Sequence, residues 1–209
     1  MHLLLTDRLA CPRCGPGFGL IVLAHRLEDR RVLEGVLGCS NCRDAFPIAN
    51  GFADLRAPPR GPLPGGRAGP PGPVDESETE RLVALVGVPE GPGTVALIGG
   101  TARHAAGYAG RVPDVEVVAV DEDLASWPES TRVSRLAARP GLPIFDLTLR
   151  GVVVDGDLGP RWVREAARTV ARLGRVVVVR APTGTEGALV EAGLRILAAA
   201  DGTVVAARG

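Results

Sequence analysis

Residues 10–15 read ACPRCG and residues 38–43 read GCSNCR. These two Cys-x-x-Cys pairs, Cys11 with Cys14 and Cys39 with Cys42, hold all four cysteines of a 209-residue chain, so none is left over. The 24 residues between Cys14 and Cys39 suffice for a small β-hairpin. Each pair makes a tight knuckle, and two knuckles supply the four soft thiolates that tetrahedral zinc takes. A closed four-thiolate shell leaves no position for water, so the spacing predicts a structural zinc ribbon rather than a catalytic centre. Two disulfides would need an oxidising compartment. MHLLLTDR at the N-terminus is a poor secretory signal, because its apolar run is three leucines with Asp7 and Arg8 close behind. A redox motif would explain one pair but not a matched second.

Outward from the second knuckle, residues 57–73 read APPRGPLPGGRAGPPGP, in which 12 of 17 positions are Pro or Gly. Such a stretch forms neither helix nor sheet ladder. A Pro/Gly-rich tether is therefore expected over 57–74, between a cysteine-bearing unit at 1–56 and a larger unit at 75–209. In the first unit, LIVLAHRL and RRVLEGVLGC have the composition of strands. A unit this small has little core and needs a staple, which zinc supplies.

The larger unit alternates helix and strand patterns. Helices are expected over 75–86, with a Ser77/Glu80 capping box, over 101–110, with Ala102, Ala105, Ala106 and Ala109 on one face, and over 160–174, closed by Gly174. Strands are expected at 94–98, 115–120, around 152–154 and at 175–180. A final hairpin, LRILAAA and TVVAAR, turns on Asp201-Gly202. This order predicts an α/β fold, Rossmann-like, with a mostly parallel sheet, helices on both faces and an antiparallel C-terminal hairpin.

Composition narrows the function. Net charge is zero, with 24 basic and 24 acidic residues, and every basic residue is arginine. With aromatics at only 3%, this argues against a nucleic-acid surface. No apolar run reaches the 18 or so residues that span a bilayer, so the chain is expected to be cytoplasmic, with no membrane association. The glycine-rich stretches lack a nucleoside-triphosphate P-loop.

The first 56 residues resemble the zinc-ribbon activator family of tRNA and rRNA methyltransferases. The likeness runs over LLLTDRLACPRCG and GCSNCRDAFPIANGFADL, including the Phe46-Pro47-Ile48 and Gly51 signature. It implies zinc on Cys11, Cys14, Cys39 and Cys42, and docking on a methyltransferase partly by adding a strand to its sheet edge. Residues 75–209 resemble a class I S-adenosylmethionine-dependent methyltransferase, on GTVALIGGTA with VEVVAVDED, GLPIFDLTLRGVVVDG and REAARTVARLGRVVVVRAP. That resemblance implies a cofactor site built from the Gly99-Gly100 turn and from Asp121, an acid at the end of the second strand placed to take ribose hydroxyls.

Several family positions are changed. Leu97 stands where an acid is usual, the glycine turn is cut to Gly99 and Gly100, no acid lies near the third strand, and Gly151 replaces another aspartate. Asp155 and Asp157 remain as loop acids, more often helix caps than catalytic groups; either His104 or Tyr108 could face the pocket, but a lone histidine is more often structural. With the apolar framework intact and the polar site eroded, the sequence reads as a zinc-binding, non-catalytic methyltransferase-like scaffold, a pseudoenzyme. Its protein partner would be a methyltransferase or its own second domain. The alternative is an active methyltransferase with its activator fused in cis.

Overall fold

A computed structural model describes residues 1–64, 69, 72–139 and 141–209. The strands are β1 (Ala10–Cys11), β2 (Gly15–Gly19), β3 (Ile21–Glu28), β4 (Arg31–Gly38), β5 (Ala45–Ala49), β6 (Phe52–Asp54), β7 (Gly93–Ile98), β8 (Val115–Val120), β9 (Val133–Ala137), β10 (Leu149–Asp155), β11 (Val170–Val179), β12 (Leu194–Ala200) and β13 (Thr203–Arg208). The helices are α1 (Glu76–Val86), α2 (Ala105–Arg111), α3 (Pro160–Thr169) and α4 (Thr185–Glu191).

β1 and β2 pair by themselves; the other eleven strands form one sheet in the order β12-β13-β11-β10-β7-β8-β9-β6-β5-β4-β3. Its centre, β11-β10-β7-β8-β9, is parallel. Central strands are covered on both faces, which is why TVALI and VVVV are continuous apolar runs. Ala96 and Ile98 point into one core with Trp162 and Val163 of α3; Val95 and Leu97 point into the other with Leu82 and Val86 of α1 and Tyr108 of α2. The helices thus lie on both faces, and β13 enters antiparallel beside β11 as the terminal hairpin predicts. Asp201 and Gly202 both adopt positive φ, 49° and 69°, as a two-residue hairpin turn requires.

The cysteine-bearing segment is not a separate bead. β3, β4, β5 and β6 form an antiparallel meander, and β6 pairs in parallel with β9, Phe52 opposite Arg135 and Asp54 opposite Ala137. Leu9, Leu37, Phe46 and Leu55 share one buried cluster with Val118, Val152 and Trp162. Residues 57–64 are irregular and tied down: Arg60 donates to Ala45 O (2.7 Å), and Arg139 donates to Arg60 O (3.0 Å). The rest of the expected tether lies partly outside the described residues.

Three local expectations need correction. Asp75, not Ser77, caps α1, accepting from the N–H groups of Ser77 (2.9 Å) and Glu78 (3.4 Å). Residues Gly99–His104 form a 3-10 turn before the short α2, which leaves Ala106 exposed and gives the inner position to Tyr108. The helix expected to Gly174 ends at Thr169, because Val170 already pairs with Leu149; Leu173 lies in the irregular start of β11 at 86% exposure. Among the described residues, no helix is long and apolar enough to cross a membrane.

Candidate metal centre and cofactor-like crevice

Cys11 ends β1, Cys14 lies in the turn to β2, Cys39 follows β4, and Cys42 lies in the turn to β5. Arg43, at φ 61°, closes the second knuckle, its N–H on Cys39 O at 2.9 Å. The four Sγ atoms lie within 4.8 Å of one another, Cys11 to Cys42 at 3.7 Å and Cys14 to Cys39 at 3.9 Å. A tetrahedron of sulfurs about 2.3 Å from a zinc ion has edges of about 3.8 Å, so the cage is the right size. The Cys14 N–H points at Cys11 Sγ (3.4 Å), and Asn41 Nδ2 donates to Cys14 Sγ (3.3 Å). Burial opposes ionisation of Cys39, but donation from the Cys42 and Asn41 backbone and the neighbouring thiols brings its pKa down to about 7. Donation from the Asp44 backbone works to lower Cys42, but burial and the neighbouring thiols push it up to about 12, and burial raises Cys11; the four cysteines are positioned to bind a metal ion.

The second site is a crevice of about 270 Å³ at the carboxyl ends of β7 and β8, where ligands of open α/β sheets bind. Ile98, Gly99, Val120, Asp121, Ala138, Leu158 and Trp162 line it. Gly99 and Asp121, read from the sequence as a pair, do meet here. Asp121 also accepts from the Asp123 N–H (3.0 Å) and so caps its own 3-10 turn, Glu122–Ser126. Burial is the main cause raising its pKa, with Asp123 and Glu122 adding to it.

Gly100 meets something else. Its N–H donates to Asp155 Oδ2 (3.2 Å), and the same carboxylate is paired with Arg180, which also donates to Asp157 Oδ2 (2.8 Å). A Cβ placed on Gly100 would lie 2.6 Å from Asp155 Oδ2, and one on Gly99 would lie 2.6 Å from Leu158 Cδ1. The crevice is open beside Asp121 and Gly99, and at the exposed Gly100 the backbone N–H is taken by the chain's own carboxylate. For the amino-acid end of S-adenosylmethionine to take this N–H, the Asp155 carboxylate would have to give it up.

His104 and Tyr108 do not face this crevice. His104 Nδ1 is hydrogen-bonded to Thr79 Oγ1 (2.8 Å) between α2 and α1, and burial lowers its pKa. Tyr108 is fully buried, and its hydroxyl has no hydrogen-bond partner among the described residues.

The sequence reading missed the polar seam between the ribbon and the central sheet. Arg56, 1% exposed, donates to Asp54 Oδ1 (2.8 Å) and Oδ2 (2.9 Å), then reaches Glu122 Oε2 (3.3 Å) beside the crevice. Arg31 pairs with Glu129 and donates to Val133 O (2.8 Å). Arg135 of β9 donates to Asn50 O. Asp54-x-Arg56, a short-range opposite-charge pair at the end of an apolar strand, was the only visible signal.

Residues 2–51 match the model of the family described as Trm112p-like protein. A search of curated proteins finds no match. Among solved structures, a putative methyltransferase of an antibiotic biosynthesis pathway from Anabaena variabilis is 18% identical over 51% of this chain and 45% of its own, with a TM-score of 0.43. A putative sarcosine dimethylglycine methyltransferase from Galdieria sulphuraria is 10% identical over 59% and 62%, at 0.48. The N-methyltransferase NodS from Bradyrhizobium japonicum, solved with S-adenosyl-L-homocysteine, is 12% identical over 65% and 87%, at 0.47. The chain thus spans about half to three-fifths of the length of the first two. Residues 2–51 are thus similar to the Trm112p-like family, and they are joined to an α/β unit with a mostly parallel sheet.

Proposed function

We propose that this chain is a zinc-binding, non-catalytic methyltransferase-like scaffold whose ribbon is partnered in cis by its own sheet. The observation that supports it is the Asp155–Arg180 pair beside Gly100: the backbone N–H that would face a cofactor is already bonded to the chain's own carboxylate. Cys11, Cys14, Cys39 and Cys42 hold one zinc ion, which fixes the knuckles and adds no open coordination position. β6 takes the edge of β9, so the strand with which such a ribbon would add to a separate enzyme is already used.

The retained Asp121, lining an open cavity with Gly99, favours the alternative, an active S-adenosylmethionine-dependent methyltransferase with its activator in cis. Titration calorimetry on the zinc-loaded chain separates the two. The scaffold reading expects no heat at sub-millimolar S-adenosylmethionine. Saturable binding, abolished by Asp121→Ala, would overturn it.

A further inference from the structure

A cavity lies on the opposite face of the sheet from the Asp121 crevice. The crossover from β8 to β9 carries only the five-residue 3-10 turn Glu122–Ser126, where a parallel crossover ordinarily lays an α-helix on the sheet. Beside it, the 3-10 turn after β7 and the start of α2 present the short side chains of Ala102 and Ala105. These leave a cavity of about 280 Å³, walled by Ala102, Ala105, Ala119, Leu124, Trp127 and Val133. All six pack in the core on the α1 and α2 side, whereas the crevice is lined by Ile98, Val120, Ala138 and Trp162 of the α3 side.

Among the described residues three arginines are buried, Arg31, Arg56 and Arg135, at 5%, 1% and 3% exposure. Arg31 pairs with Glu129 and Arg56 with Asp54, but Arg135 makes no ion pair within the described residues. Its Nη atoms donate to the backbone carbonyls of Leu124, Trp127 and Asn50, and its Nε has no partner. Arg135 alternates with Val133 and Ala137 along β9, so its side chain stands on the face that bears the cavity, and it lines that cavity. Arg103, in the turn before α2, lines it too; its Nη2 donates to Pro73 O (2.6 Å), and its Nε is also buried without a partner. The one acid among the described lining residues, Glu129, is already held by Arg31. Burial lowers the Arg135 pKa; Glu129 opposes that and Arg31 adds to it. A buried guanidinium without a paired counter-charge is costly, and a carboxylate brought from outside would satisfy it.

We propose that this cavity binds a small monocarboxylic acid with an apolar body, the body against Leu124, Trp127 and the alanines, and the carboxylate on Arg135 and Arg103. Guanidinium–carboxylate pairing selects the charge, and the mostly apolar walls select a hydrocarbon body over a sugar or a nucleotide. A ligand on this face neither requires nor excludes a cofactor beside Asp121, so the site stands apart from the choice between scaffold and enzyme.

The test is titration calorimetry of octanoate into the zinc-loaded full chain at neutral pH, with octan-1-ol as its uncharged equivalent and tryptophan emission read in parallel. Saturable binding of octanoate is expected, at least tenfold tighter than octan-1-ol. Of the two tryptophans, Trp127 borders this cavity and Trp162 the crevice, so the emission change should vanish in Trp127→Phe while the heat remains. Arg135→Met should weaken binding at least tenfold. Arg135 also holds three backbone carbonyls, so Arg103→Gln, at a partly exposed position, decides if Arg135→Met unfolds. Arg103→Gln should keep its melting temperature and bind octanoate at least fivefold more weakly. No saturable binding, equal affinity for octan-1-ol, an emission change that survives Trp127→Phe, or binding indifferent to Arg103→Gln overturns the proposal.

Discussion

Phe52 stands opposite Arg135 in the parallel pairing of β6 with β9. One strand pair joins the cysteine-bearing meander to a Rossmann-like sheet, and polar side chains bond across it. Arg135 ties Asn50 to the backbone of Leu124 and Trp127; Arg56 spans Asp54 and Glu122. The ribbon's own core is too small to stand alone, and its side chains continue into the core under α3.

Metal removal should therefore be felt beyond the ribbon. Metal analysis is expected to find about one zinc per chain. Chelation, or Cys39→Ser, should lower the melting temperature of the whole chain, because the apolar cluster that includes Cys11 and Cys39 also includes Val118 and Val152. An unchanged melting curve for fully metal-free protein would refute the structural role.

Arg56 is the most deeply buried charge at the seam. Arg56→Ala leaves Asp54 in a nearly dry site without its two charge-assisted hydrogen bonds, and should cost about 3–5 kcal/mol in urea unfolding. Replacing both residues by apolar ones, Asp54→Leu with Arg56→Met, should recover most of that, since the pair's desolvation cost disappears with it. A double variant as unstable as the single one would show that the pair contributes net stability.

The same pair sets an acid limit. Burial works to raise the Asp54 pKa, but the hydrogen bonds and charge of Arg56 hold it below the ordinary carboxylate value. A depressed folded pKa gives stability that is complete above the unfolded pKa, about 3.9, and is lost as pH falls through the folded value. Asp54→Asn should be destabilised at pH 7, and its deficit should shrink below about pH 4. A deficit constant from pH 7 to pH 2 would show that packing, not ionisation, is responsible.

Much of this was legible in the sequence. The Cys spacing foretold the cage, and the apolar runs at 94–98, 115–120 and 175–180 foretold central strands, because strands covered on both faces have no polar alternation. Helix α3 was read too long, since Val170 and Leu173 continue the helical spacing while Val170 is taken by the partner strand at Leu149. The polar seam and the Asp155–Arg180 pair beside the glycine turn escaped. Arg56 with Glu122, Arg135 with Asn50, and Arg180 with Asp155 are 66, 85 and 25 positions apart, and no local pattern couples such distant charges. Arg31, Arg56 and Arg135 supply most of that seam.

Asp121 gives the sharpest contrast between stability and binding. Burial raises its pKa, so the folded chain holds that proton more tightly than the unfolded chain does, and the ionised carboxylate is a cost at neutral pH. That cost is complete above the folded pKa and disappears as pH falls below the unfolded value near 3.9. Asn can still accept from the Asp123 N–H, so Asp121→Asn should melt higher than wild type at pH 7, with the gain vanishing toward about pH 4. A lower melting temperature at pH 7 would mean that the carboxylate is held by interactions stronger than its hydrogen bonds to the turn. In a chain that uses the acid to hold a ligand, the same substitution would weaken that ligand's binding while the apo protein became more stable.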